Sequence, residues 1–148
     1  MGDTDWGNFW LDFKRKVFKN LHMFKKVIES RLAALRDLVG AKGVDGFLVA
    51  GLANRRYLSG FTAEDPDWGM LLVTPDRALL FTDFRYQVWA QQEAPAFHIV
   101  TYKESLDKTL PDYLKDLRVG HLGFEEVYFT YRQYHRFKKS AQEAGLKV

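Results

Sequence analysis

The sequence predicts a three-layer α/β sandwich, with helices on both faces of a mixed, mostly parallel sheet of five to six strands. Three observations carry this expectation. Over the first forty residues, apolar side chains recur at steps of three or four, the period of a helix. After Gly43 the period shortens, and 45–50, 69–73, 78–82, 97–102 and 119–124 become short apolar runs bounded by turn residues. Helical patterns stand between most of those runs, as crossover connections require.

The long N-terminal helix rests on Trp6, Trp10, Phe13, Val17, Leu21, Phe24, Ile28, Leu32, Leu35 and Val39. Trp6, Val17, Ile28 and Val39 repeat every eleven residues, close to the pitch of a straight helix. Thr4 or Asp5 suits its N-cap and Gly40 its end, for a length of about 50 Å. A break at Ser30, itself a capping residue, is the competing reading. Next come a strand over 45–50, a loop over 51–54 and a short turn capped by Asn54, with Ser59-Gly60 as its end. Residues 62–67 form a polar loop containing Pro66. The runs 69–73 and 78–82 make a hairpin, because Pro75 presets the turn Thr74-Pro75-Asp76-Arg77. Asp83 is placed to cap a helix reaching about Glu93. After the strand 97–102, the segment 105–117 is helical in pattern, but Pro111 moves the expected start to Thr109. The strand 119–124 follows. Thr130-Tyr131-Arg132-Gln133 is a capping box for a helix to Ala144, with Gly145 closing it. Leu146-Lys147-Val148 begins what reads as a further strand.

A chain of 148 residues is one ordinary domain and buries about two thirds of the surface it exposes when unfolded. It has no cysteine, which excludes disulfides, thiolate metal sites and a cysteine nucleophile, and fits a reducing cytoplasm. No apolar run approaches the roughly 18 residues needed to span a bilayer, and the N-terminus lacks a leader-like pattern. The net charge of +3 is local. Residues 1–27 hold Lys14, Arg15, Lys16, Lys19, Lys25 and Lys26 against Asp3, Asp5 and Asp12, so the rest of the chain is neutral overall. One helix carries the basic character, which is not a nucleic-acid signature.

Candidate chemistry is sparse. His22, His98, His121 and His135 have no compact ligand spacing; His121 and Glu125 would share a strand face, but two donors do not hold a zinc ion. There is no nucleophile elbow and no phosphate loop, and Ser59 reads as a turn residue. The acid pairs Glu64-Asp65, Asp65/Asp67 and Glu125-Glu126 read as solvated charge. The segments Asn54-Arg55-Arg56-Tyr57-Leu58-Ser59-Gly60-Phe61 and Asp83-Phe84-Arg85-Tyr86 differ, because both follow buried strands, where open α/β sheets receive ligands. Taken singly, Asn54 and Asp83 are caps, Tyr57 and Phe61 core, and Arg85 the partner of a nearby acid.

Taken as an ordered set with 31–38, 44–50, 70–73, Gly123-Phe124-Glu125 and the helix after Thr130, these segments resemble the N-terminal domain of the creatinase, prolidase and Xaa-Pro aminopeptidase family (metallopeptidase family M24B). The resemblance covers about 28–148 and implies a ribonuclease H-like sandwich motif. It also implies that chemistry belongs to a separate C-terminal domain, absent from this chain. There, two divalent metal ions (manganese, cobalt or zinc) are held by two Asp, one His and two Glu, and Xaa-Pro peptides are the commonest substrates. None of those ligand motifs is present here, so this chain carries no catalytic or metal-binding residue of its own. The domain implied supports dimerisation and closes over the partner subunit's site. Carried over residue by residue, Asn54, Tyr57, Phe61, Asp83, Arg85 and Tyr86 line that rim or build it. An alternative is a stand-alone interaction module with the same fold, as in the inactive version carried by a histone-chaperone subunit. Residues 1–27 depart from the family pattern as a basic aromatic helical extension. Residues 6–39 are read first as core or as a contact with another copy or partner, and last as a membrane-surface helix.

Overall fold

A computed structural model describes residues 6–65 and 69–146, with the backbone only for 6–10. Five helices and five strands follow in the order α1 (Trp6–Ala41), β1 (Gly46–Val49), α2 (Leu52–Ser59), β2 (Met70–Val73), β3 (Ala78–Asp83), α3 (Gln87–Glu93), β4 (His98–Tyr102), α4 (Leu106–Asp116), β5 (Leu122–Phe124) and α5 (Tyr131–Glu143). Short 3-10 turns at Phe84–Tyr86 and Glu126–Tyr128 lead toward α3 and α5.

The sheet order is β4-β3-β2-β1-β5. β1 pairs with β5 and β3 with β4 in parallel, while β2 pairs antiparallel with both of its neighbours. Four strands therefore run the same way, and the expected hairpin supplies the reversed one. Strand alternation splits the core in two. Val49, Leu71, Val73 and Leu80 face one layer with Ile28, Leu32, Leu58, Phe61, Ala90 and Ala94. Leu48, Leu72, Leu79 and Phe81 face the other with Leu110, Leu114 and Val119. The C-terminal half of α1, with α2 and α3, thus covers one face, and α4, with α5 beside it, covers the other.

Several local expectations are corrected. α1 runs unbroken through Ser30, because Ile28 and Leu32 on either side are buried on one face and a break would separate them. Its end is Ala41, and the left-handed residue is Gly43 (φ 68°), not Gly40. The expected caps Thr4 and Asp5 lie outside the described residues. β1 and β5 are shorter than expected, because Asp45 uses its carboxylate to hold the N–H groups of Gly120 (3.1 Å) and His121 (2.9 Å) in a turn ahead of β5. α4 begins at Leu106 and contains Pro111. The proline removes one helical donor, but its ring is buried between Leu110 and Leu114 in sequence, and burial offsets the lost bond. The capping box of α5 forms in both directions between Thr130 and Gln133. Leu146 closes α5, its N–H donating to Ala141, rather than starting a strand, while Lys147 and Val148 lie outside the described residues. No described helix is long and apolar enough to cross a membrane.

Candidate functional site: the rim at the carboxyl ends of the strands

The four co-directional strands deliver their C-terminal residues to one edge of the sheet. β1 leads into Ala50 and Gly51 and β5 into Glu125, while β3 ends at Asp83 and β4 at Tyr102, with Asp83 and Tyr102 paired in register. Both sequence segments singled out above start from this edge.

At the β1/β5 side, Glu125 closes the N-terminus of α2. Its Oε2 accepts the N–H groups of Ala50 and Gly51, both at 2.7 Å, and its Oε1 accepts from Asn54 Nδ2. Gly51 is the N-cap and has no side chain to do this. Asn54 therefore does not cap, as the sequence suggested; it lies in the first turn of α2 and orients the carboxylate that does. An anion at a helix N-terminus meets both free N–H groups and the positive end of the helix dipole. The Tyr128 ring stands over Gly51, where a Cβ would come within 2.5 Å of it.

In the middle, Arg55 is fully buried. Its Nη1 donates to the carbonyl of Gly69 at 2.6 Å, and its Nη2 to the carbonyls of Ala63 and Asp65. The guanidinium also lies over the Phe61 ring at 5.5 Å. Burial pulls its pKa down, with the Asp65 charge opposing. An arginine remains charged through such a shift, so this is a cation solvated by carbonyls that fix the loop after α2. Ser59 completes the turn: its Oγ donates to the Arg55 carbonyl at 2.7 Å and accepts the Phe61 N–H at 3.1 Å. Thr62 ties the same loop to α3, its N–H and Oγ1 both donating to Glu93 at 2.8 Å.

At the β3/β4 side, Asp83 Oδ1 accepts the N–H (2.9 Å) and Nε (2.8 Å) of Arg85. The guanidinium holds the Asp83 carboxyl below the usual carboxylate range, and Asp83 raises Arg85 in turn. Arg85 approaches the Tyr86 ring at 5.6 Å, Tyr86 packs on Trp89 at 5.9 Å, and Trp89 meets Phe61 edge-on at 6.0 Å. Beside β4, a polar cleft of about 300 Å³ opens between the starts of α4 and α5, lined by Tyr102, Ser105, Asp107, Gln133 and Arg136 among others.

The six residues expected from sequence thus divide. Asp83, Arg85 and Tyr86 form one group in which only Arg85 is exposed and the other two are partly buried; it is joined through Trp89 to Phe61, which is core as expected. Asn54 belongs to the Glu125 end. Tyr57 is not core: it is 55% exposed, and Arg31 of α1 stacks on its ring at 3.9 Å while donating to its carbonyl at 2.7 Å. Sequence reasoning missed Arg55 as an organiser and Glu125 as a remote cap; the buried face of α2 is Arg55, Leu58 and Ser59, so Arg55 does not stand out as one charge among apolar residues. His121 and Glu125 do not meet, since His121 pairs with Asp45 (3.5 Å) and Glu125 serves α2. Among the described residues no group of three or more His, Asp or Glu side chains could hold a metal ion, so these residues do not fit a dinuclear centre.

The comparisons match this architecture. The model of the Creatinase/Prolidase N-terminal domain matches residues 31–147. An uncharacterised peptidase, YqhT of Bacillus subtilis, is 34% identical over 116 residues, covering 78% of this chain and 32% of that protein. The Xaa-Pro dipeptidase from Bacillus anthracis superposes with a TM-score of 0.71 at 30% identity, over 76% of this chain and 31% of that one. The N-terminal domain of the cytoplasmic peptidase PepQ from Mycobacterium tuberculosis superposes with a TM-score of 0.68 at 31% identity, over 76% of this chain and 85% of that one. The chain spans about a third of the length of the whole peptidases it matches and most of the solved N-terminal domain. With the family model matching most of the chain and its sheet shared with these relatives, this chain belongs to the Creatinase/Prolidase N-terminal domain family.

Proposed function

We propose that this chain is the non-catalytic N-terminal domain of a metal-dependent Xaa-Pro aminopeptidase or dipeptidase. Residues 28–148 act as the family domain and 1–27 as an extension. The observation that carries this reading is the pattern of coverage: most of a solved peptidase N-terminal domain, but under a third of a whole Xaa-Pro dipeptidase. The catalytic partner is then a C-terminal domain of the same protein, whose own residues hold the two metal ions.

The role of the domain is to shape access to that site and to contribute contacts in a homodimer. Asp83, Arg85 and Tyr86 present an oriented cation and an aromatic face at the rim. Asn54, through Glu125, and Phe61, through Trp89, hold that edge in place; Tyr57 locks α2 to α1. A rigid rim of this kind positions a peptide without entering the chemistry.

The test is the coding sequence beyond Val148 together with kinetics of the protein it encodes. The reading expects two Asp, one His and two Glu in metal-ligand motifs downstream. It also expects Arg85→Ala to raise KM for an Xaa-Pro peptide several-fold. A downstream sequence without that ligand set defeats it.

A further inference from the structure

On the α4/α5 side of the sheet, Leu48 of β1 and Phe124 of β5 are paired in register and point to the same face. They line a cavity of about 360 Å³ together with Leu110 and Leu114 of α4 and Phe137 and Ala141 of α5. Its inner wall belongs to the second core layer, since Leu48, Leu110 and Leu114 are all buried. Its mouth is aromatic and open to solvent, with Phe124 37% and Tyr134 36% exposed.

Size and wetting both favour a small organic ligand. The volume lies within the range of small-molecule sites, and a hydrocarbon-lined cavity of about 150 Å³ already takes up benzene. At roughly 30 Å³ per water-sized group, the space holds about a dozen non-hydrogen atoms. Apolar walls offer water few hydrogen-bond partners, so an apolar body gains by replacing it.

The polar groups at the cavity set the rest of the ligand. The His121 ring lies 3.5 Å from the Asp45 carboxylate, which also accepts the Gly120 N–H at 3.1 Å, so both of these lining residues already have a partner. Lys138 differs. It is half-buried, its ammonium stands 5.9 Å from the centre of the Tyr134 ring at the mouth, and it pairs with no carboxylate among the described residues. Its neighbours on α5 are neutralised: Arg136 meets Asp107 at 2.9 Å and Lys139 meets Glu143 at 3.8 Å. A partly desolvated cation beside an apolar cavity favours an anionic acceptor at the mouth. A single cation matches a single negative charge, and a cationic ligand would be repelled by it.

We infer that the cavity between α4, α5 and the β1/β5 edge binds an apolar monocarboxylate, its hydrocarbon body among Leu48, Leu110, Leu114 and Phe137 and its carboxylate accepting from the Lys138 ammonium. The inference is independent of the proposed peptidase role, since it uses none of the rim residues Asn54, Tyr57, Phe61, Asp83, Arg85 and Tyr86.

The experiment is a methyl NMR titration of the 148-residue chain with octanoate and, separately, with octan-1-ol, which has the same chain without the charge. A Lys138→Gln variant is titrated beside it; the position is half-buried on a helix and glutamine is a good helix former, so the fold is kept, which circular dichroism verifies. All samples are also sized by light scattering. The expected result is saturable binding of octanoate with a Kd at or below about 1 mM. The methyl signals of Leu48, Leu110 and Leu114 should shift, and those of Val49, Leu71 and Leu80 in the other core layer should not. Octan-1-ol should bind at least about fivefold more weakly, and Lys138→Gln should weaken octanoate by a similar factor while leaving octan-1-ol within about twofold. Absence of saturable shifts, shifts spread over both core layers, equal affinity for the two ligands, or octanoate binding untouched by Lys138→Gln overturns the inference. So does a dimer that octanoate converts to monomer, which would assign the cavity to a second copy of the chain.

Discussion

Glu125 and Gly51 are 74 residues apart in sequence, yet the carboxylate of one accepts the backbone N–H of the other at 2.7 Å. The end of the last strand thereby caps the first helix that follows the first strand. Glu125 also holds Ala50 and Asn54. We predict that Glu125→Ala costs about 2 kcal/mol of stability, because donors at a helix N-terminus lose a charged acceptor. Glu125→Gln, which keeps one acceptor oxygen, should cost about half as much. Urea denaturation of the two variants measures the difference, and a Glu125→Gln variant as stable as the parent would mean that the negative charge contributes nothing.

Arg55 is the second remote organiser. Arg55→Ala leaves the carbonyls of Ala63 and Gly69 without their donor in a buried site and opens a void beside Phe61. A loss of about 3 kcal/mol is expected. Arg55→Lys should rescue little of it, since a single ammonium cannot span carbonyls placed for a planar fork. Hydrogen exchange should report the loss first in residues 62–65. Full rescue by lysine would show that the charge alone matters there.

Two glycines predict opposite signs. Gly60 ends α2 at φ 85°, and a Cβ there would lie 2.8 Å from the Glu93 carbonyl oxygen and 2.5 Å from the Phe24 ring. Gly60→Ala should destabilise by about 2 kcal/mol. Gly40 sits within the last turn of α1 with nothing near its missing Cβ. Gly40→Ala should stabilise by about 0.7 kcal/mol through helix propensity. Thermal melts of both variants check the pair.

The Asp83–Arg85 contact predicts a pH dependence. Asp83 has a lower pKa in the folded chain than the usual aspartate value of about 3.9. Its contribution is therefore complete above that usual value and is lost as pH falls through the lower folded value. A carboxyl NMR titration should place Asp83 below 3.9, and Arg85→Gln should move it upward. An unmoved midpoint in that variant would assign the shift to the backbone N–H instead.

The sequence made the layers legible because their signals are periodic and local. The helical stripe ending in Ile28, Leu32 and Leu35, the hairpin around Pro75, the Asp83 cap and the Thr130–Gln133 box all lie within a few residues of what they determine. The rim was legible in part. Asp83 and Arg85 are neighbours and could be paired on sight. Glu125 acts on a segment more than seventy residues away, so nothing near Glu125 or Gly51 marks the contact. Asn54 was assigned the cap that Glu125 supplies. Arg55 carried no role of its own in the sequence because its acceptors are main-chain carbonyls, which leave no sequence signal. Tyr57 has the composition of a core residue, but its ring is held outside by Arg31, from a helix whose position only the tertiary fold fixes. Pro111 misplaced the start of α4 because burial of its ring was invisible to a local rule.

The most direct test is incubation of the purified 148-residue chain, supplied with manganese(II) or cobalt(II), with an Xaa-Pro dipeptide. The account predicts that the dipeptide stays intact, because the proposed reading assigns the hydrolytic centre to a different domain. Proline released in proportion to the protein, and stopped by a chelator, would contradict it.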